Sequence, residues 1–128
     1  MSELKPHFTI LIDERRREVH FAASGFWSPD HMARFQAALL EKSKPLYSKG
    51  IAFNVLGDLS GLAVQDRMMA DAMKFMLQES TKLGMRKLAM VITAPLVKMQ
   101  YARLAEGANT EIFTNRGDAV AWLRSQGT

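Results

Sequence analysis

Apolar positions along the chain follow two rhythms, a period of two and a period near 3.6. Phe8-Thr-Ile-Leu-Ile12 and Val19-His-Phe-Ala-Ala23 are β-branched and apolar stretches either side of a charged turn, which predicts an antiparallel hairpin. Ser24-Gly25-Phe26-Trp27 breaks the second strand. Ser28-Pro29-Asp30 then opens a helix, with the serine capping free amides and the proline fitting the first turn. Met32, Phe35 and Leu39, with Ala33, Ala37 and Leu40, give that helix one broad apolar face. It is expected to fade at Lys44-Pro45, where proline withholds the donor a helix interior needs, leaving Lys44 to Gly50 as the flexible loop.

Ile51-Ala-Phe-Asn-Val-Leu56 is a nearly continuous apolar run, as in strands covered on both faces, and is expected to end at Gly57-Asp58-Leu59-Ser60-Gly61. From Asp66 to Leu83 helical spacing returns, with Met69, Met73 and Met76 on one stripe and Gly84 as the stop. Lys87-Leu-Ala-Met-Val-Ile92 is the next buried strand. Pro95 starts a helix with Val97, Tyr101 and Leu104 on one face, closed by Gly107. Glu111-Ile-Phe113 is the last strand, and Thr114-Asn115 caps a final helix turning Ala119, Trp122 and Leu123 inward. Strands alternating with helices predict an α/β fold: a mixed, mostly parallel five-stranded sheet with an N-terminal antiparallel hairpin and about four helices. With 128 residues and no linker or repeat, residues 1–128 are expected to form one domain.

Composition narrows the function. With no cysteine there are no disulfides, thiolate metal sites or cysteine nucleophiles. No apolar run approaches the roughly 18 residues of a membrane span, and the opening Met1-Ser-Glu-Leu-Lys-Pro6 has no hydrophobic signal core, so a cytoplasmic protein without a transmembrane segment is expected. Seventeen Lys and Arg against thirteen Asp and Glu leave a net charge of +4. The densest basic cluster, Arg15-Arg16-Arg17, is offset by Asp13, Glu14 and Glu18, and no aromatic residues are interleaved with basic ones, so nucleic acid is not an expected partner.

The opening hairpin, the Ser24-Gly25-Phe26-Trp27-Ser28 exit, the strand ending in Gly57-Asp58-Leu59-Ser60-Gly61 and the closing Ile112-Phe113 before Ala119-Val120-Ala121-Trp122-Leu123 occur in an order that resembles the STAS and SpoIIAA-like superfamily. The resemblance implies a SpoIIAA-like fold and a bacterial, non-catalytic signalling module that binds a regulatory protein, sometimes a nucleotide or lipid-like ligand, and often switches on phosphorylation. In the anti-sigma antagonists an Asp-Ser-Ser-Gly-Leu segment carries the phosphoacceptor serine. Here the matching stretch is Asp66-Arg67-Met68-Met69, without hydroxyl or glycine, which leaves Ser60 or Ser24 as substitutes.

Ligands of open parallel sheets bind outside the carboxyl ends of the strands. The residues expected there are Ser24, Phe26 and Trp27, then Asp58, Ser60 and Gly61, then Thr93. Phe26 and Trp27 are adjacent, so in an extended exit they point apart and cannot both lie deep in the core. The methionine-rich helix adds Met68 and Phe75, part of a stripe wide enough to face a partner. His7, His20 and His31 lie in different elements, and no phosphate loop, dinucleotide fingerprint or nucleophile elbow occurs. The chain is therefore expected to be no enzyme, with no catalytic residue, metal or cofactor. The expected partner is a regulatory protein or a second copy in a homodimer. The alternative is a small apolar or anionic ligand between the methionine-rich helix and the Phe26-Trp27 loop.

Overall fold

The structure, a computed structural model, describes residues 5–104 and 109–125. The elements run β1 (His7–Asp13), β2 (Glu18–Gly25), α1 (Pro29–Tyr47), β3 (Phe53–Leu62), α2 (Arg67–Lys82), β4 (Met85–Val91), α3 (Pro95–Leu104), β5 (Thr110–Phe113) and α4 (Arg116–Leu123). Gly107, the expected stop of the third helix, lies outside the described residues. Among those residues no helix is long and apolar enough to cross a membrane.

The five strands lie in sequence order, β1-β2-β3-β4-β5. β1 pairs antiparallel with β2, through a turn in which Arg17 takes a positive φ of 56° and Arg16 N donates to Asp13 Oδ1. The other pairings are parallel. Each crossover steps the same way along the sheet, and right-handed crossovers then put all three connecting helices on one face. Two cores result. Val19, Val55, Leu59, Leu88 and Met90 face α1, α2 and α3, whereas Leu56, Ala89 and Val91 face Ala119 and Leu123 of α4.

Two ion-bearing residues hold α4 in place. Lys87, 1% exposed in mid-strand, donates through Nζ to Trp122 O at 2.9 Å, Ser125 O at 3.0 Å and Ser125 Oγ at 3.0 Å. A cation thus meets the carbonyls at a helix C-terminus, where the dipole favours it. Glu18, buried at the start of β2, takes both Arg124 Nε and Nη2 at 2.9 Å.

Two boundaries differ from the sequence reading. β3 does not stop at Gly57 but continues to Leu62, because a bulge absorbs the irregular residues: Ala22 pairs with Asp58 and Ser24 with Gly61, so Leu59 and Ser60 together oppose Ala23. Asp58 Oδ1 accepts from Ser60 N at 3.1 Å and Ser60 Oγ at 2.6 Å within that bulge. α1 runs past Pro45 to Tyr47, so only the end of the expected Lys44–Gly50 loop is non-helical. The ring withholds one amide near the helix end, beside the exposed Glu41, where the orphaned carbonyl can meet water. Buried Leu46 rewards the continuation.

Candidate functional site: an apolar cavity beneath two helices

Alternation along the strands sends one set of side chains toward the three-helix face. Phe21 and Ala23 of β2, Val55 and Leu59 of β3, and Leu88 and Met90 of β4 form a floor. Leu39 and Leu40 of α1, Met73, Met76 and Leu77 of α2, and Tyr101 of α3 form the walls and roof. The space between them, open on one side, is about 420 Å³.

α2 explains why the space is there. Its Asp66 cap accepts from Met69 N at 2.9 Å, and of its own residues only Met69 and Ala70 are buried, both in its first turn. Farther along, Met73, Met76 and Leu77 are half-buried, and Phe75 is 58% exposed while still lining the opening. Leu40 and Leu83, also exposed, lie at the same opening.

Charge stays at the margin. Glu79 and Lys82 line the opening and pair with each other at 3.0 Å, both well exposed to solvent. Ser43 Oγ donates to Leu39 O at 2.6 Å within its own helix. Tyr101 Oη donates to the thioether of Met73, and burial pushes its phenol above the ordinary value.

One end of the cavity is closed by Trp27, 1% exposed, whose Nε1 donates to Ser24 O at 2.8 Å. Its backbone amide donates to Gln65 Oε1 at 2.9 Å, and Gln65 Nε2 donates to Gly25 O at 3.1 Å and Ala63 O at 2.6 Å. Gln100 of α3 completes the clasp, accepting from Gln65 N at 3.1 Å and donating to Gln65 O at 2.9 Å. Sequence reasoning missed Gln65 and Gln100. Gln65, polar and in a loop, carries no periodic signal and is marked only by its burial, and Gln100 reads in the sequence as one more polar position of α3. Beside Trp27, the His31 ring makes an edge contact at 4.6 Å and Phe35 one at 5.0 Å.

The expected site residues divide. Trp27 and Phe75 line the cavity. Phe26 turns outward at 43% exposure as Trp27 turns in, the opposition expected of adjacent residues in an extended exit. Ser24 gives its carbonyl to Trp27, and the side chain that a residue other than glycine would place at position 61 would meet Ser24 Cβ at 2.9 Å. Asp58 and Ser60 bond each other in the bulge, Thr93 is exposed beyond β4, and Met68 is 67% exposed on α2. The parallel strands do end along one edge. A crevice at that edge, however, needs a reversal of strand order, and an order of β1 to β5 has none. The apolar concavity lies on the helical face. Among the described residues no three His, Asp or Glu side chains gather as a metal site would require.

Solved structures share this architecture. An uncharacterised protein of the DUF3478 family from Shewanella loihica PV-4, described as having a SpoIIAA-like fold, superposes with a TM-score of 0.67 at 17% identity, over 93% of this chain and 95% of that one. The chain has the SpoIIAA-like fold. An anti-sigma factor antagonist from Mycobacterium paratuberculosis matches it with a TM-score of 0.62 at 13% identity, over 93% of this chain and 96% of that one. No family model and no curated protein matches the sequence. The SpoIIAA-like architecture is therefore the one the order of sequence segments implied, and identities this low speak for fold alone.

Proposed function

We propose that the chain is a non-catalytic regulatory module of one domain that works by binding, and that its bound molecule is a small apolar compound held beneath α1 and α2. The observation that carries this reading is the cavity: about 420 Å³, walled mostly by aliphatic, methionine and aromatic side chains, with Gln36, Ser43 and Ser80 among them. That size falls within the roughly 300–1,000 Å³ of small-molecule sites. A thinly seated α2 offers a way in, because the half-buried methionines of its later turns can repack around a guest. An anti-sigma factor antagonist of the same fold supports a regulatory rather than catalytic role. The reading needs no phosphoacceptor at Arg67-Met68, and it suits a cytoplasmic bacterial protein.

The test is uptake of 1-aminonaphthalene, a small neutral fluorophore whose emission shifts to the blue in apolar surroundings. One equivalent should bind, and Met76→Trp, which fills the space from α2, should abolish uptake with the fold retained. Equal uptake by both proteins would overturn the assignment.

A second reading rests on Met68 and Phe75, at 67% and 58% exposure on α2. They suit contact with a regulatory protein or a second copy of this chain. Sedimentation at several concentrations tests the second copy: a dimer lost in Phe75→Asp supports it, and a monomer throughout excludes it.

A further inference from the structure

The cavity holds a deeply buried polar group whose present partner does not account for it. Tyr101 is 5% exposed, and its Oη donates to Met73 Sδ. A thioether is a weak acceptor, and buried tyrosine hydroxyls ordinarily find a strong one because desolvating an O–H without a good partner is costly. Phenylalanine would fill the same volume without that cost. Of the other lining residues, Leu88, Met90, Leu104 and Met76 offer no side-chain oxygen, and the neutral ones that do, Gln36, Ser43 and Ser80, belong to α1 and α2 and are not the partner that Tyr101 Oη takes. The cations and anions of the site, Lys82 and Glu79, stand at its opening and satisfy each other.

From this we infer that the ligand is a neutral apolar molecule carrying one hydrogen-bond-accepting oxygen, and that this oxygen displaces Met73 Sδ as the partner of Tyr101 Oη. The inference rests on the cavity reading and adds to it the chemical class of the guest and the residue that selects it. Two features favour a carbonyl or ether over a carboxylate: the interior has no cation, and Tyr101, whose phenol is held protonated by burial, supplies one donor only. A site built to donate to an oxygen discriminates against the analogue that lacks it. The size of the guest follows from the volume. At about 30 Å³ for each water-sized group, the cavity admits on the order of a dozen non-hydrogen atoms.

Three probes of that size separate the possibilities: pentylbenzene, valerophenone, which replaces one of its methylenes by a carbonyl, and 5-phenylpentanoate, which ends in a charge. Binding is read directly from the methionine methyl resonances during titration. In the native chain valerophenone is expected to bind about tenfold tighter than pentylbenzene, and 5-phenylpentanoate weakest. Tyr101→Phe should erase the preference for valerophenone while leaving pentylbenzene affinity in place. Met73→Leu should widen the preference, because it removes the competing acceptor and keeps the hydroxyl. Equal binding of pentylbenzene and valerophenone in the native chain, or a preference that survives Tyr101→Phe, overturns the role of Tyr101 while the cavity reading stands. Tightest binding by 5-phenylpentanoate overturns the neutral class. Failure of all three probes to bind overturns the cavity reading together with the inference.

Discussion

The Phe21 ring lies directly over Gly57, its partner on the neighbouring strand, so closely that a Cβ at position 57 would stand 2.5 Å from Phe21 Cζ. Glycine at the centre of β3 is thus what lets an aromatic ring lie flat on the cavity floor. Gly57→Ala should push the ring upward into the open space, lowering probe capacity and destabilising the fold by about 1–3 kcal/mol. Probe titration beside thermal unfolding checks both. Unchanged capacity with lost stability would mean the sheet yields and the ring does not.

Arg124→Met is expected to leave the buried Glu18 carboxylate with His20 as its remaining side-chain partner. Hydrogen bonds to Arg124 hold that carboxyl below its ordinary value of 4.5, against burial, which raises it. Loss of a charge-assisted bond costs about 1.5–3 kcal/mol, and the lower end applies because Arg124 is partly solvated. The sign with pH is fixed. A lowered carboxyl pKa contributes stability above the ordinary value, lost as pH falls through the folded value. Denaturant melts from neutral pH down to pH 3 should therefore show a shallower acid loss in the variant than in the native chain.

His31 sits against Phe8 and Trp27, and its Nε2 has no hydrogen-bond partner among the described residues. Burial first, then Arg34 and His7, lower its pKa below 6.5, with Asp30 opposing. The unfolded chain takes up this proton at higher pH than the folded one. Stability from His31 is therefore complete above about 6.5 and falls as pH drops toward the folded value. His31→Phe should flatten that part of the stability profile, as followed by tryptophan emission during urea unfolding. An identical profile in the variant would place the dependence elsewhere.

Asp66→Ala removes the cap of α2 and is expected to cost about 1 kcal/mol. The loss should be local. With burial confined to the first turn, α2 should open before the sheet does, so amide exchange should quicken in 67–82 with β3 and β4 unaffected. Uniform acceleration across the chain would show that α2 and the sheet unfold together.

Much of this fold was legible in the residues. Ser28-Pro29 and Asn115 mark helix starts by local chemistry that needs no tertiary partner, and both regions are N-caps in the structure, as is Asp66, which the sequence reading placed only at the beginning of the helical spacing. The alternation of strands and helices likewise implied the parallel sheet. The reading failed where distant contacts overrule local preference: Gly57 and Gly61 suggest a stop, yet pairing with Phe21 and Ser24 extends the strand through a bulge. The candidate site was less legible. Trp27 and Phe75, named from the sequence as contact residues of the strand exit and of the methionine-rich helix, both border the cavity, but an apolar stripe looks the same whether it meets a filled core or an open one. The hydroxyl of Tyr101 looked like one more core position for the same reason.

Sheet order identical to chain order also bears on how the molecule reaches its native state. No strand must be threaded between two that are already paired, and each new strand is brought to the growing edge across a turn or a segment carrying one helix. Each closure spans one turn or one helix, so assembly can advance from the hairpin toward the carboxyl end, and refolding at the intermediate rate of a mixed α/β domain, without a topological trap, is the expected behaviour of such a ladder.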